Sequence, residues 1–355
     1  MKRSLIRIIS AFTCLLLAVG AIACSDITDD YSNIIEYEDD SEGEIDEATT
    51  VIGFSQPGAE SAWRVALTES VKSSFTEENG YKLYYKDGQS KQDNQIKDIR
   101  TFIQQGVDFI ILSPIVETGW DQVLEEAKEA GIPVIICDRN VVVSNENLYT
   151  AYVGSNFKAE GETAISYIEK TLESKNLMQT GEQSPNMDFN IVHIQGTLDS
   201  SAQLGRSKAL ADAVEKNDKW NIIAQECGDF TKGKSREIMT SILENLDGES
   251  IDLVYCENDE EAFGVMAALN EAGISYGSGG DVMIVSFDGQ SAALNMVMGG
   301  QINFEVECNP LQGPYLENII GSLKRGKKVP KITYIDEAYF TQYMLTTEYI
   351  ESRPY

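Results

Sequence analysis

Charged and aromatic side chains gather at a few places in this sequence, each close behind a short apolar run. Glu60, Trp63 and Arg64 follow the run at 51–55, and Asp138 and Arg139 stand at the end of the run that begins at Val134. Arg206 stands near the start of a helical stretch, Asp229 and Phe230 come after 222–226, Asn258 and Asp259 after 253–256, and Asp288 after 283–287. Carboxylates and an amide oxygen accept the proton of a hydroxyl group, and guanidinium groups present a planar fork of N–H donors to oxygen. The rings of Trp63 and Phe230 offer apolar faces. Such a set suits a small polyhydroxylated ligand. Hydrogen bonds to charged groups contribute roughly 1.5–3 kcal/mol each net, so a handful desolvated together gives tight binding. Taken singly, each residue has a plainer reading: an Asp after a strand is a helix N-cap, and an Asp-Arg dipeptide is a surface pair. Their joint occurrence in both halves of the chain is what points to a site.

These positions need a scaffold that brings strand ends together. From about Thr49 the sequence alternates β-branched runs with amphipathic stretches, the signature of βαβ units and a parallel sheet. The spacing predicts strands at 51–55, 82–86, 109–113 and 134–138, with helices at 62–78, 92–105 and 119–130. A second series has strands at 190–194, 222–226, 253–256 and 283–287, with helices at 202–216, 234–246 and 260–272. The strands are continuous apolar runs, as expected when helices cover both faces of a sheet. The fold class is therefore α/β, with two similar lobes, each a parallel sheet flanked by helices. The break falls around 149–156, where a strand leads into a helix starting at Ser155 or Asn156. In open parallel sheets, ligands sit beyond the carboxyl ends of the strands, where the candidate residues lie. The polar stretch 172–189 reads as an irregular surface insertion.

The N-terminal 23 residues carry Lys2, Arg3 and Arg7, then an apolar run from Ala11 to Ala23, in the layout of a signal peptide. Gly20-Ala21-Ile22-Ala23-Cys24 resembles a bacterial lipobox, which predicts acylation of Cys24 and an anchor in the membrane. From 24 to 48 there are eleven acidic residues and no Lys or Arg, which reads as a solvated, disordered tether. A net charge of −29 would be repelled by phosphates and argues against a nucleic-acid partner. Beyond Cys14 and Cys24, the cysteines are Cys137, Cys227, Cys256 and Cys308, with no C-x-x-C pair and no zinc spacing. They allow three complete disulfide pairings or four free thiols. No P-loop, G-x-G-x-x-G or H-E-x-x-H occurs, and the single histidine, His193, lies inside an apolar strand. Neither an enzyme, a catalytic residue, a metal nor a cofactor is expected.

The resemblance that unites these features runs from about Thr49 to the region of Pro330. The carrying segments are Val51-Ile52-Gly53-Phe54-Ser55-Gln56 with Glu60-Ser61-Ala62-Trp63-Arg64, Asp87-Gly88-Gln89, Gln92-Asp93-Asn94-Gln95-Ile96 and Ser113-Pro114. Thr118-Gly119-Trp120, Ile132-Pro133-Val134, Asp138-Arg139, Gln195-Gly196-Thr197, Gly228-Asp229-Phe230-Thr231, Glu257-Asn258-Asp259 and Phe287-Asp288-Gly289 complete the set. In these the chain resembles the periplasmic sugar-binding proteins of the ribose/galactose type, with the type I periplasmic-binding-protein fold, and most closely the galactofuranose binders of ABC importers. Ala209 departs from a position where the family often has glycine. The resemblance implies that Glu60, Trp63, Arg64, Asp138 and Arg139 bind the ligand from the first lobe, and Arg206, Phe230, Asn258 and Asp288 from the second. It adds Glu307, near a crossover. It implies lobes of 49–152 plus about 308–337 and 153–307 plus about 338–355, joined by a three-crossover hinge near 152–155, 288–289 or slightly later, and 307–308. The implied partners are a monosaccharide and an ABC permease, for a monomeric protein held outside the cell membrane. A membrane receptor kinase that reads the sugar-loaded protein is the alternative partner.

Overall fold

The computed structural model describes residues 49–180, 188–246 and 248–355, of 176–180 the backbone only; the expected signal peptide, Cys24 and the expected acidic tether lie outside the described residues. The first sheet contains β1 (Thr50–Gln56), β2 (Tyr81–Asp87), β3 (Phe109–Leu112), β4 (Val134–Cys137), β5 (Ala151–Gly154) and β11 (Ile332–Tyr334). Its strands are parallel and run in the order β11-β5-β4-β3-β1-β2. The second sheet repeats that plan with β6 (Phe189–Gln195), β7 (Trp220–Cys227), β8 (Leu253–Cys256), β9 (Met283–Asp288), β10 (Phe304–Glu307) and β12 (Tyr339–Phe340). The order is β12-β10-β9-β8-β6-β7, with β12 antiparallel to β10.

The central strands FIIL, VIIC and LVYC are buried along their whole length. They owe this to helices on both faces, the physical reason their sequences do not alternate. On the first sheet lie α1 (Ala62–Ser74), α2 (Gln92–Gln105), α3 (Asp121–Glu129) and α9 (Gly313–Lys324), the last packed against α1. On the second lie α4 (Phe157–Thr180), α5 (Ser201–Lys216), α6 (Lys232–Asn245), α7 (Asp259–Ala272), α8 (Ser291–Met298) and α10 (Thr347–Ser352). Two differences from the sequence reading concern helix ends. The first helix stops at Ser74 rather than 78, where the Asn79 side chain takes up the Ser74 carbonyl at 3.2 Å. The stretch from 172 is not irregular: α4 continues through it to Thr180, and 181–187 lie outside the described residues.

The chain passes between the sheets three times, at 155–156 between β5 and α4, at 308–312 between β10 and α9, and at 335–338 between β11 and β12. No crossing occurs at 288–289, because β9, α8 and β10 all remain with the second sheet. Strand pairing places Val153 and Gly154 with the first sheet. Opposite this hinge the lobes touch. Glu117 N donates to Asp199 O at 2.9 Å, and Asn140 N donates to Ser201 Oγ at 2.8 Å. The clamp is closed.

Candidate functional site

In each sheet the connections reverse direction beside the first strand of its series, between β1 and β3 and between β6 and β8. Such switch points open a crevice at the carboxyl ends of the strands. The two crevices face each other across a small pocket at the carboxyl ends of the strands. Its wall includes Glu60, Trp63, Arg64, Asp138 and Arg139 from the first lobe and Arg206, Phe230, Asn258 and Asp288 from the second.

Arg64 sits in the first turn of α1, whose N-cap Ser61 accepts from the Arg64 backbone N–H at 3.1 Å. Its guanidinium donates to Glu60 Oε1 at 2.9 Å, to Asp138 Oδ2 at 2.5 Å and to Ser113 Oγ at 3.2 Å. Burial works against the charge on Arg64, but Asp138 and Glu60 outweigh it and hold the guanidinium more firmly protonated than usual. Arg139 donates to Glu60 Oε1 and to the Ile115 carbonyl, both at 3.4 Å. Burial, followed by the neighbouring Arg64 charge, pulls its pKa down. The Trp63 indole N–H donates to the Cys308 carbonyl at 2.5 Å, which ties α1 to the second crossover.

On the opposite wall, Arg206 donates from Nε to Glu160 Oε2 at 2.8 Å and from Nη1 to the Glu257 carbonyl, and its Nη2 lies 3.8 Å from Asp288 Oδ1. Burial pushes the Asp288 carboxyl well above the usual range, with Arg206 opposing the shift. Asn258 is the N-cap of α7, and its Nδ2 donates to the Phe230 carbonyl at 3.4 Å. Phe230 reaches across the cleft to Arg139, whose guanidinium carbon lies 5.2 Å from the ring centroid. Its ring rests against Gly196, where a Cβ would overlap it.

Backbone strain concentrates here. Asp138, Asp229, Phe230 and Asp288 have φ of 62°, 55°, 58° and 116°, values that cost L-residues about 1–2 kcal/mol each. Such strain persists where the surroundings over-determine it. At Asp138 the constraint is visible: its N–H is shared by Val153 O and Gln312 Oε1, both at 2.9 Å. Two buried polar atoms on wall residues, Glu60 Oε2 and Arg206 Nη2, have no hydrogen-bond partner in the protein. One is an acceptor and the other a donor, on opposite lobes, and an unmet buried polar group is expensive.

Glu307 is placed elsewhere. Its Oε1 accepts from Arg353 Nη2 and from the Tyr355 hydroxyl, both at 2.7 Å, and its Oε2 accepts from Ala338 N at 2.8 Å. It therefore fastens the C-terminal segment to β10 and is not among the residues lining the cavity. Ser61, Phe157, Ala202 and Cys308 line it without having been singled out in the sequence. Phe157 carried a usable signal as the first residue of the helix after the break. Ala202 and Cys308 carried none, since a small side chain and a thiol beside a strand are unremarkable. The four described cysteines are all free thiols. His193 is buried in β6 and meets Glu257 Oε1 at 2.8 Å.

A closed two-lobed α/β clamp around a polar cavity, with three crossings of the chain behind it, is the architecture of a type I periplasmic binding protein. Comparison with known proteins agrees: residues 52–312 match the periplasmic binding protein domain family. The chain belongs to that family. It is 37% identical over 289 residues to the galactofuranose-binding protein YtfQ of Escherichia coli (strain K12), across 81% of this chain and 86% of that protein. A Mycobacterium smegmatis protein solved in complex with β-D-fucofuranose is 37% identical with a TM-score of 0.75, covering 83% of this chain and 92% of that one. The periplasmic binding component of the arabinose ABC transporter from Shewanella sp. ANA-3, bound to α- and β-L-arabinofuranose, is 35% identical with a TM-score of 0.76, covering 86% and 96%. The family places the clamp on the extracytoplasmic side of the membrane. No described helix is long and apolar enough to cross a bilayer.

Proposed function

We propose that this protein captures a neutral monosaccharide in its furanose form outside the cell membrane and delivers it to an ABC sugar importer. The observation that carries this reading is the balance of the cavity wall. Three guanidinium groups, Arg64, Arg139 and Arg206, face three carboxyl groups, Glu60, Asp138 and Asp288. A ligand with both donors and acceptors and no net charge complements such a wall, whereas a sugar acid or phosphate would leave a carboxylate opposed. The relatives reported above support the furanose class. Trp63 and Phe230 are assigned to the apolar face of the ring, and the charged groups to its hydroxyls. Closure of the hinge around the ligand presents the importer with a surface made by both lobes.

The test is a thermal-shift screen of the purified protein against L-arabinose, D-galactose, D-fucose, D-ribose and D-galacturonate. A ligand at 100 times its Kd adds about 2.7 kcal/mol to stability. One or two neutral sugars are expected to raise the melting temperature while the uronate leaves it unchanged. No response to any neutral sugar would remove the reading.

The anchor is part of the proposal and rests on Cys24, outside the described residues. A doubly or triply acylated cysteine holds a protein stably at a bilayer, each buried CH₂ contributing about 0.8 kcal/mol. The Cys24→Ala variant is expected to move from the membrane fraction to the soluble fraction. An unchanged distribution would show that acylation of this cysteine is not what holds the protein.

A further inference from the structure

Behind the cavity, the three crossings meet at one carboxyl group. Glu337, in the third crossing, accepts a hydrogen bond from the Ser155 hydroxyl of the first and, at 2.9 Å, from the Asn309 N–H of the second. Glu160, at the start of α4, brings a carboxylate oxygen within 4.8 Å of Glu337 and of the Cys308 thiol. Its Oε2 is taken by Arg206 of the cavity wall, while its Oε1 is buried, and the Ser155 hydroxyl and the Glu337 carboxyl are its neighbours. A chain of contacts thus runs from the wall through Glu160 to the residue that ties the crossings together. Two carboxylates at this range, Glu160 buried and Glu337 partly so, repel each other, and one proton between them relieves the repulsion.

We propose that Glu160 and Glu337 share a proton, and that this proton makes Glu337 a positioning residue: it holds Glu160 against Arg206 and locks the hinge in the closed form. The surroundings fit. Glu160 also faces Asp288 at the end of β9, Cys308 beyond β10 and Tyr255 of β8, and Glu337 faces Glu307 of β10 and Tyr152 of β5. Arg206 is the cation paired with Glu160, at 2.8 Å. Burial pushes Glu160 up against the pull of Arg206, and burial together with the Glu160 charge pushes Glu337 up. A carboxyl whose pKa is raised in the closed, folded protein stabilises it at low pH. That contribution is lost as pH rises through the raised value. Sugar affinity and folding stability should both fall as the pH rises from the ordinary carboxyl range through the raised one.

Glu337→Gln separates this from a merely structural role, since its Oε1 still accepts from Ser155 and Asn309 while Nε2 permanently supplies the hydrogen to Glu160. For the full-length parent the Kd for L-arabinose is expected to rise about tenfold or more from pH 6 to pH 9, one pKa unit of linkage being tenfold. For E337Q the rise should be smaller by about that factor, leaving only the pH dependence that other groups impose on both proteins. Asp259, which burial pushes up to about 7, titrates over the same range, so the comparison is between the two proteins at each pH. The second readout needs no sugar: the melting temperature of the parent should fall relative to that of E337Q as pH rises. Parallel pH curves for the two proteins would overturn the shared proton, as would binding abolished by a chelator and restored by zinc, which would make the cluster a metal site. The proposal rests on the sugar-binding reading in its affinity arm alone. If L-arabinose does not bind, the melting curves still decide the hinge, and the missing affinity counts against the ligand class.

Discussion

Replacing Arg206 by alanine is expected to raise the Kd for the sugar at least about a hundredfold. Arg206 is 2% exposed, and its Nη2 is a buried donor that the protein leaves unpaired beside the cavity. Two hydrogen bonds to a guanidinium group contribute about 3 kcal/mol or more between them, which is a factor of one hundred or greater in Kd. The same substitution strands Glu160 and Asp288, which Arg206 faces at 2.8 and 3.8 Å. Breaking a buried pair from one side costs about 3–5 kcal/mol of stability, so the melting temperature should fall as well. Combining Arg206→Met with Glu160→Gln removes the larger of the stranded charges and should recover much of that stability while affinity stays lost. Calorimetric titration and melting curves of both variants check this. Parent-like affinity in either one would take Arg206 out of the site.

Asp138→Asn should weaken binding by about ten- to a hundredfold and lower the melting temperature less than Asp138→Ala, since the amide keeps an acceptor for Arg64 while removing the charge from a buried pair. The position has φ of 62°, and asparagine tolerates the left-handed region about as well as aspartate. The exchange therefore isolates the charge. Arg64 loses the charge opposite it at 2.5 Å and keeps that of Glu60, and the cavity wall becomes more positive. Discrimination against D-galacturonate should relax in the variant, which the same titration measures. Asp138→Ala, by contrast, adds backbone strain of about 1 kcal/mol and should lose stability as well as affinity. An Asn variant that binds like the parent would mean that Asp138 serves to orient Arg64 and not to meet the ligand.

The site was readable where local sequence and position at a strand end coincide. Trp63 and Arg64 lie in the first turn of the helix after β1, and Asp138 and Asp288 end or follow apolar runs, so a parallel-sheet reading alone carries them to one rim. Glu307 shares that position at the end of β10 and still points away. Its partner Arg353 comes from 46 residues further along the chain, and no local pattern announces such a pairing. Phe157 and Cys308 became wall residues because the crossings fold back behind the cavity.

The amino-acid sequence by itself determined the elements and their layering. Helix α2 at Gln92–Gln105 and strand β8 at Leu253–Cys256 fall where the periodicity places them, because burial on both faces leaves its mark on every residue of a parallel strand and amphipathicity marks every turn of a helix. Only the tertiary structure decided the hinge. The third crossing at 335–338, the meeting of Ser155, Asn309 and Glu337, and the approach of Glu160 to that cluster depend on contacts between segments up to 182 residues apart. Long-range electrostatics of this kind have no sequence period, and they exist only once both sheets have formed and the lobes have closed.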